Sequence, residues 1–254
     1  MPAPLLETQG LVRRFGGFVA VDDVHLTIRR GEFHSLIGPN GAGKTTLLNL
    51  LSGDLTPTEG RIFYGGQEIT GRSLWQRARL GISRAYQLTH LFPRLSAFEN
   101  VRLAVQSLHG AGVIRDWWIP TRSLAAVQEK TMALLEEVGL AAKASLPALA
   151  LSHGDQRKLE LAMALALDPE VLLLDEPTAG MAVEEVPGIL AVIGRVFSRG
   201  NLTIVMVEHR MDIVLKLSQR ITVMHLGRLL AQGTPVEIVQ DRRVQEAYLG
   251  GLSG

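Results

Sequence analysis

The apolar positions of the chain fall into two recurring patterns. Short apolar runs occupy 171–174 and 202–207, a length that suits strands buried on both faces, and 33–37 reads as a third buried strand that ends in a glycine loop. Each is followed by a segment with apolar residues at helical spacing, over 43–51, 183–197 and 211–217. Strands alternating with helices predict a mostly parallel sheet covered on both faces. Two regions break this rhythm. Residues 5–12 and 19–28 read as antiparallel strands with Gly16-Gly17 between them. Residues 97–149 carry no strand signal, are rich in Ala and Leu, and show clear helical spacing over 123–138. They read as an inserted helical subdomain. No internal repeat and no low-complexity linker is visible.

Composition narrows the class. A chain of 254 residues with 46% hydrophobic content can bury a sizeable core, as one large domain or a domain with a subdomain. Net charge is +1, without the basic excess of a nucleic-acid binder, so no nucleic-acid partner is expected. There are no cysteines, which excludes disulfides and thiolate metal sites. The first ten residues lack the pattern of a secretory signal, and no run reaches the ~18 apolar residues of a membrane span. A role at a membrane would need a partner to supply the membrane part.

The chemistry begins with Gly38-Pro-Asn-Gly-Ala-Gly-Lys44-Thr45, which fits the phosphate-loop pattern G-x-x-x-x-G-K-[ST]. It lies between a predicted strand and a predicted helix, the context this pattern requires. Its glycines let successive backbone N–H groups turn inward on phosphate oxygens, and the helix adds the positive end of its dipole. The candidate nucleotide contacts are Asn40, Gly41, Ala42, Gly43, Lys44, Thr45 and Thr46, with Lys44 on the β- and γ-phosphates and Thr45 on Mg²⁺. The run Val171-Leu-Leu-Leu-Asp175-Glu176-Pro177 then puts two carboxylates at the carboxyl end of a buried strand, the edge where open parallel sheets bind ligands. Asp175 is the candidate metal holder, and Glu176 is placed to polarise the attacking water.

Beyond these two motifs the chain resembles the ABC ATPases, over about residues 5–249. Leu151-Ser152-His153-Gly154-Asp155-Gln156 is similar to the family's signature, Gln87 to its Q-loop glutamine, His209 to its switch histidine, and Phe15 to its adenine-stacking aromatic. Ser152 with Asp155 three residues later also reads as an acidic variant of a capping box, opening a helix over 156–167. The resemblance implies an α/β fold: a phosphate-loop NTPase core of the ABC type with an N-terminal antiparallel β-subdomain and an inserted helical subdomain. That is one domain over 1–254, with core at about 1–96 and 155–254 and helical subdomain at about 97–154. It implies ATP and Mg²⁺ as cofactors, Gln87 as a further metal and catalytic contact, and Glu176 and His209 as catalytic residues. It also implies a head-to-tail dimer in which Ser152 and Gly154 bind the phosphate of ATP held by the other subunit.

Closer phrases, among them ARLGISRAYQ, LSHGDQRKLELA, VEHRMDIV and QEAYLGG, resemble the ATP-binding subunits of branched-chain amino-acid importers. The implied partners are two permease subunits, a second ATP-binding subunit and, indirectly, a binding protein. The implied place is peripheral, on the cytoplasmic face of the inner membrane. The alternative is a soluble ABC-type ATPase with no permease. Three positions depart from the general family: His153 and Asp155 replace signature glycines, and Ala182 stands where the D-loop aspartate links the two ATP sites. The last departure suits a heterodimer with unequal sites. Trp117-Trp118, in the helical region, reads either as subdomain packing or as a permease or membrane contact.

Overall fold

The computed structural model describes residues 4–85, 91–107 and 121–250. In chain order, β1 (Pro4–Phe15), β2 (Phe18–Val24), β3 (Thr27–Arg29), β4 (Phe33–Ile37) and α1 (Lys44–Ser52) come first. There follow β5 (Glu59–Tyr64), β6 (Gln67–Glu68), α2 (Leu74–Arg79) and β7 (Ile82–Ala85). Helices α3 (Ala97–Ser107), α4 (Thr121–Glu137) and α5 (His153–Leu165) are consecutive; then come β8 (Val171–Asp175), α6 (Val186–Ser198), β9 (Thr203–Val207) and α7 (Met211–Leu217). The chain closes with β10 (Arg220–His225), β11 (Arg228–Gly233), α8 (Pro235–Gln240) and α9 (Arg242–Gly250).

Two sheets result. The six-stranded sheet runs β11-β10-β4-β9-β8-β7, parallel throughout except for the β10–β11 hairpin. β1, β2, β3, β5 and β6 make the second, antiparallel sheet. The continuous apolar strands are explained by what lies on either side of them. Leu172, Leu174, Ile204 and Met206 point into a core shared with α3, α4, α5 and α6. Their alternating neighbours Val171, Leu173, Val205 and Val207 point into a second core with α1 and the antiparallel sheet. A strand with period-2 side chains presents residues to both faces, so β8 and β9 are apolar nearly throughout, while the equally buried β4 admits His34 and Ser35 because His34 is hydrogen-bonded to Glu32 and Thr222 and Ser35 to Ser218.

Helix α1 is held at its ends by different means. Its N-cap Gly43 has φ 96 and makes no side-chain cap, so the first-turn N–H groups stay open. At the other end Arg77, fully buried, donates from Nη1 to the carbonyls of Leu50 at 2.6 Å and Leu51 at 3.0 Å, and from Nη2 and Nε to those of Thr70 and Arg72. A cation there satisfies orphan carbonyls and complements the helix dipole. Burial pulls the Arg77 pKa down to about 10, which leaves it charged at neutral pH.

Residues 19–28 were expected as one strand and form two. Asp23 takes φ 51, β2 ends at Val24, and β3 begins at Thr27 against a different stretch of β1. The signature helix starts at His153, three residues before the expected start, and Ser152 caps it by accepting from Asp155 N at 3.2 Å. The reciprocal half of the expected capping box does not form: the Asp155 carboxylate turns to Lys143 and to Lys158 (3.2 Å). Burial pushes the Asp155 carboxyl up, and the two ammonium groups outweigh it, leaving it below its ordinary value. Among the described residues no helix is long and apolar enough to cross a membrane.

Candidate active site

The chain leaves β4 at Ile37 and must reverse into α1 within six residues, passing close beneath two other backbones. A Cβ on Gly38 (φ 148) would lie 2.1 Å from the Met224 carbonyl oxygen, and one on Gly43 (φ 96) 2.2 Å from that of Ala20. Only glycine fits either place. Residues 40–46, together with Phe18, Ala20, Glu176 and His209, line one pocket of about 240 Å³. The Lys44 ammonium is held by the carbonyls of Gly38 at 2.8 Å and Pro39 at 2.9 Å. Burial pushes its pKa below the ordinary value, against the pull of Glu176 and Asp175.

β8 and β9 deliver the rest. Asp175 ends β8, its carboxylate buried, with Oδ2 accepting from Arg84 Nη2 at 2.7 Å. Its Oδ1 is buried without a hydrogen-bond partner. Burial pushes the Asp175 pKa up; the Arg84 charge opposes this, Glu176 adds to it, and the nearby Thr45 hydroxyl also opposes it. A buried carboxylate oxygen left open beside a hydroxyl fits a hard cation such as Mg²⁺, which takes one or two carboxylates and completes its shell with phosphates and water. Among the described residues no group of three or more His, Cys, Asp or Glu could form an all-protein metal cage.

Glu176 follows immediately in a left-handed conformation, φ 47, pinned by its N–H donating to Val207 O at 2.9 Å. A non-glycine residue there costs about 1–2 kcal/mol, and such strain collects at functional sites. The turn brings Glu176 Oε1 to 2.6 Å from His209 Nε2. His209 is fixed from behind by Glu208, 3% exposed, which accepts from the N–H groups of His209 (2.7 Å) and Arg210 (3.2 Å) and from the Thr178 hydroxyl. In the phrase VEHRMDIV, Glu208 is the residue directly before the histidine. Its signal was present: an acid directly after a buried strand, facing a turn with free N–H groups.

Phe15 ends β1 and pairs with Phe18 across the hairpin turn. Its half-exposed ring carries the Arg13 guanidinium 4.6 Å from its centroid, and it is Phe18 that reaches the pocket lining. Ser152 and Gly154 are not part of that lining. They sit at the N-terminus of α5, where the Gly154 N–H donates to Glu185 Oε2 at 3.2 Å. Nothing in the sequence pattern pointed to Glu185, because the contact crosses 31 residues. Ala182 is exposed in the loop before it. Gln87 and Trp117-Trp118 lie outside the described residues.

An anion cradle at a helix N-terminus, with its acid and histidine supplied by the two neighbouring strand ends, defines the class as a phosphate-loop nucleoside triphosphatase. The family model described as ABC transporter matches residues 21–179, and that described as branched-chain amino acid ATP-binding cassette transporter matches 228–251, from β11 into α9. The chain is 39% identical over 254 residues to LivG of Escherichia coli K12, a high-affinity branched-chain amino acid transport ATP-binding protein, covering 98% of this chain and 99% of that one. It is 40% identical over 257 residues to BraF of Pseudomonas aeruginosa, similarly described, covering 98% and 99%. A crystal structure of an ATP-binding cassette of an ABC transporter in its ADP conformation superposes with TM-score 0.83 at 28% identity, over 98% of this chain and 99% of that one. This chain belongs to the ABC transporter family, as one of its ATP-binding, ATP-hydrolysing subunits.

Proposed function

We propose that the chain powers an importer of branched-chain amino acids or a related small polar solute. The observation that carries this is the near full-length similarity to LivG and BraF, continued into the C-terminal segment by the branched-chain family match. The subunit lies peripherally on the cytoplasmic face of the inner membrane, with two permease subunits, a second ATP-binding subunit and a binding protein completing the transporter. A permease segment has a place to dock: an open apolar cleft beside β7, where Trp75, Phe92 and Leu103 are exposed. Apolar side chains gathered at one cleft mark an interaction surface more than scattered ones do.

In the site itself, Lys44 exchanges its two loop carbonyls for phosphate oxygens, and the open N–H groups of α1 take the remaining charge. Thr45 and Asp175, with Gln87, would hold Mg²⁺, which neutralises phosphate charge when bound. Glu176 orients the attacking water, and His209 holds Glu176 until the terminal phosphate arrives. Phe15 or its hairpin partner Phe18 offers an exposed ring for adenine. Ser152 and Gly154 act on the ATP of the second subunit, so each chain carries two halves of different sites. Ala182 leaves the link between those sites without its carboxylate, which suits a heterodimer with unequal turnover.

Co-purification of the tagged chain from its native cells tests the transport reading. Two polytopic membrane proteins and a second ATPase of similar size are expected. Recovery without any membrane protein, in detergent that preserves such assemblies, would refute it and leave a soluble ATPase.

A further inference from the structure

Arg84 is a charged group with no part in the chemistry above, yet its side chain is only 6% exposed. It stands one residue before the end of β7, which pairs in parallel with β8, the strand that ends in Asp175. Its guanidinium works as a fork. Nη2 donates to Asp175 Oδ2 at 2.7 Å, while Nη1 reaches Asp54 at 2.9 Å and also meets Asn49. Asn49 belongs to α1 and Asp54 to the loop just after it. One side chain therefore ties the acid at the end of β8 to the helix whose N-terminus cradles phosphate.

Burying this pair is expensive, since each ion loses several kcal/mol of hydration even after relaxation. What the pair achieves is asymmetry. Arg84 takes Oδ2 of Asp175, and Oδ1 remains buried without a hydrogen bond, on a carboxylate whose charge the Thr45 hydroxyl helps to stabilise. Without the fork, the carboxylate could rotate and offer either oxygen, or turn to a neighbouring donor. Hydrogen bonds to the far side of a ligating group are what fix its orientation toward a metal. Lysine could supply the charge but not two donors at fixed geometry.

We propose that Arg84 is the positioning residue of the metal carboxylate: by holding Oδ2 it presents Asp175 Oδ1 to Mg²⁺. The inference rests on Asp175 being the metal holder of the nucleotide site. The full-length chain is titrated with a fluorescent ADP analogue in the absence of Mg²⁺ and then with MgCl₂ at fixed nucleotide. For Arg84→Met, Mg²⁺-free binding stays near the wild-type value, because the phosphate-loop contacts are untouched. The Mg²⁺ concentration at half-effect rises about 10- to 100-fold. Arg84→Lys gives a smaller rise, and Asp54→Asn, remote from the metal, shifts it in the same direction through the loosened fork.

A wild-type Mg²⁺ half-point in Arg84→Met overturns the proposal. So does a parallel loss of Mg²⁺-free binding, which would mark a role in holding α1 alone. Thermal melting monitors folding; if Arg84→Met does not fold, an unshifted half-point in Arg84→Lys is decisive against it. A wild-type chain whose nucleotide binding ignores Mg²⁺ would instead remove the metal reading on which the inference stands.

Discussion

The contact between Glu185 and Gly154 makes a quantitative prediction about dimer closure. The carboxylate lies on the N-terminus of α5, and a Cβ added to Gly154 would stand 2.9 Å from its Cδ, so the two are packed without a gap. That is the same N–H the proposed function assigns to the phosphate of the second subunit's ATP. Two anions cannot share it, and Glu185 must leave as the dimer closes. A hydrogen bond to a charged acceptor contributes about 1.5–3 kcal/mol net when well buried, and the helix terminus adds about 0.3–1 kcal/mol. Glu185 is only half-buried, so solvent screening brings the sum to roughly 1 kcal/mol per site. Removing the residue from this chain alone changes one site, so closure with the partner subunit gains about 1 kcal/mol, or roughly 5-fold in the dimer dissociation constant. The assay is sedimentation velocity of the chain with its native partner ATPase at saturating ATP, in a Glu176→Gln background that arrests turnover. Glu185→Ala should associate more tightly, and Glu185→Gln by less, since an amide still accepts a weaker bond. An unchanged or weaker dimer in both variants would refute the idea that the carboxylate occupies the phosphate's seat.

Other substitutions separate chemistry from architecture. Glu176→Gln should lower the ATPase rate by about 10²–10⁴-fold while nucleotide affinity, read by equilibrium binding, stays near wild type. Gly43→Ala forces a Cβ to 2.2 Å from the Ala20 carbonyl at φ 96. It should cost about 2–5 kcal/mol in strain and overpacking and abolish measurable ATP binding, whereas binding within tenfold of wild type would contradict the cradle geometry. Arg77→Met leaves the two buried carbonyls at the end of α1 unpaired, at about 1 kcal/mol each, and should lower the melting temperature by roughly 4–8 °C. Trp75→Glu combined with Leu103→Glu should release the chain from its permease partners in pull-down without changing its own ATP affinity.

The sequence made legible whatever depends on local pattern. Residues 33–37 and 211–217 emerge with the bounds expected, because a short strand closed by a glycine loop, or helical spacing after a strand, carries its own punctuation. The glycine loop at 38–43 likewise falls between β4 and α1, where the sequence pattern placed it. What stayed hidden depends on distant residues. β6 has two residues and β7 four, too short for a periodicity to register. The break between β2 and β3 turns on one aspartate at positive φ, a residue type that tolerates that region without announcing it. Arg84, Glu185 and Glu208 each act through a partner about 30 or more residues away, apart from the two N–H groups next to Glu208. Spacing along the chain cannot report such pairs.

The position of β4 has a consequence for how the protein is made. The strand that launches the phosphate loop pairs on one side with β9, Phe33 opposite Ile204, and on the other with β10, Arg220 opposite His34. Both partners are translated more than 160 residues after it. At roughly 5–20 residues per second, the loop emerges from the ribosome many seconds before either edge of its strand can be covered. A nascent or truncated chain lacking β9 and β10 therefore carries the candidate phosphate contacts at 40–46 on a strand with neither edge paired. On this topology a fragment truncated before β9 should show no nucleotide binding, however complete its loop.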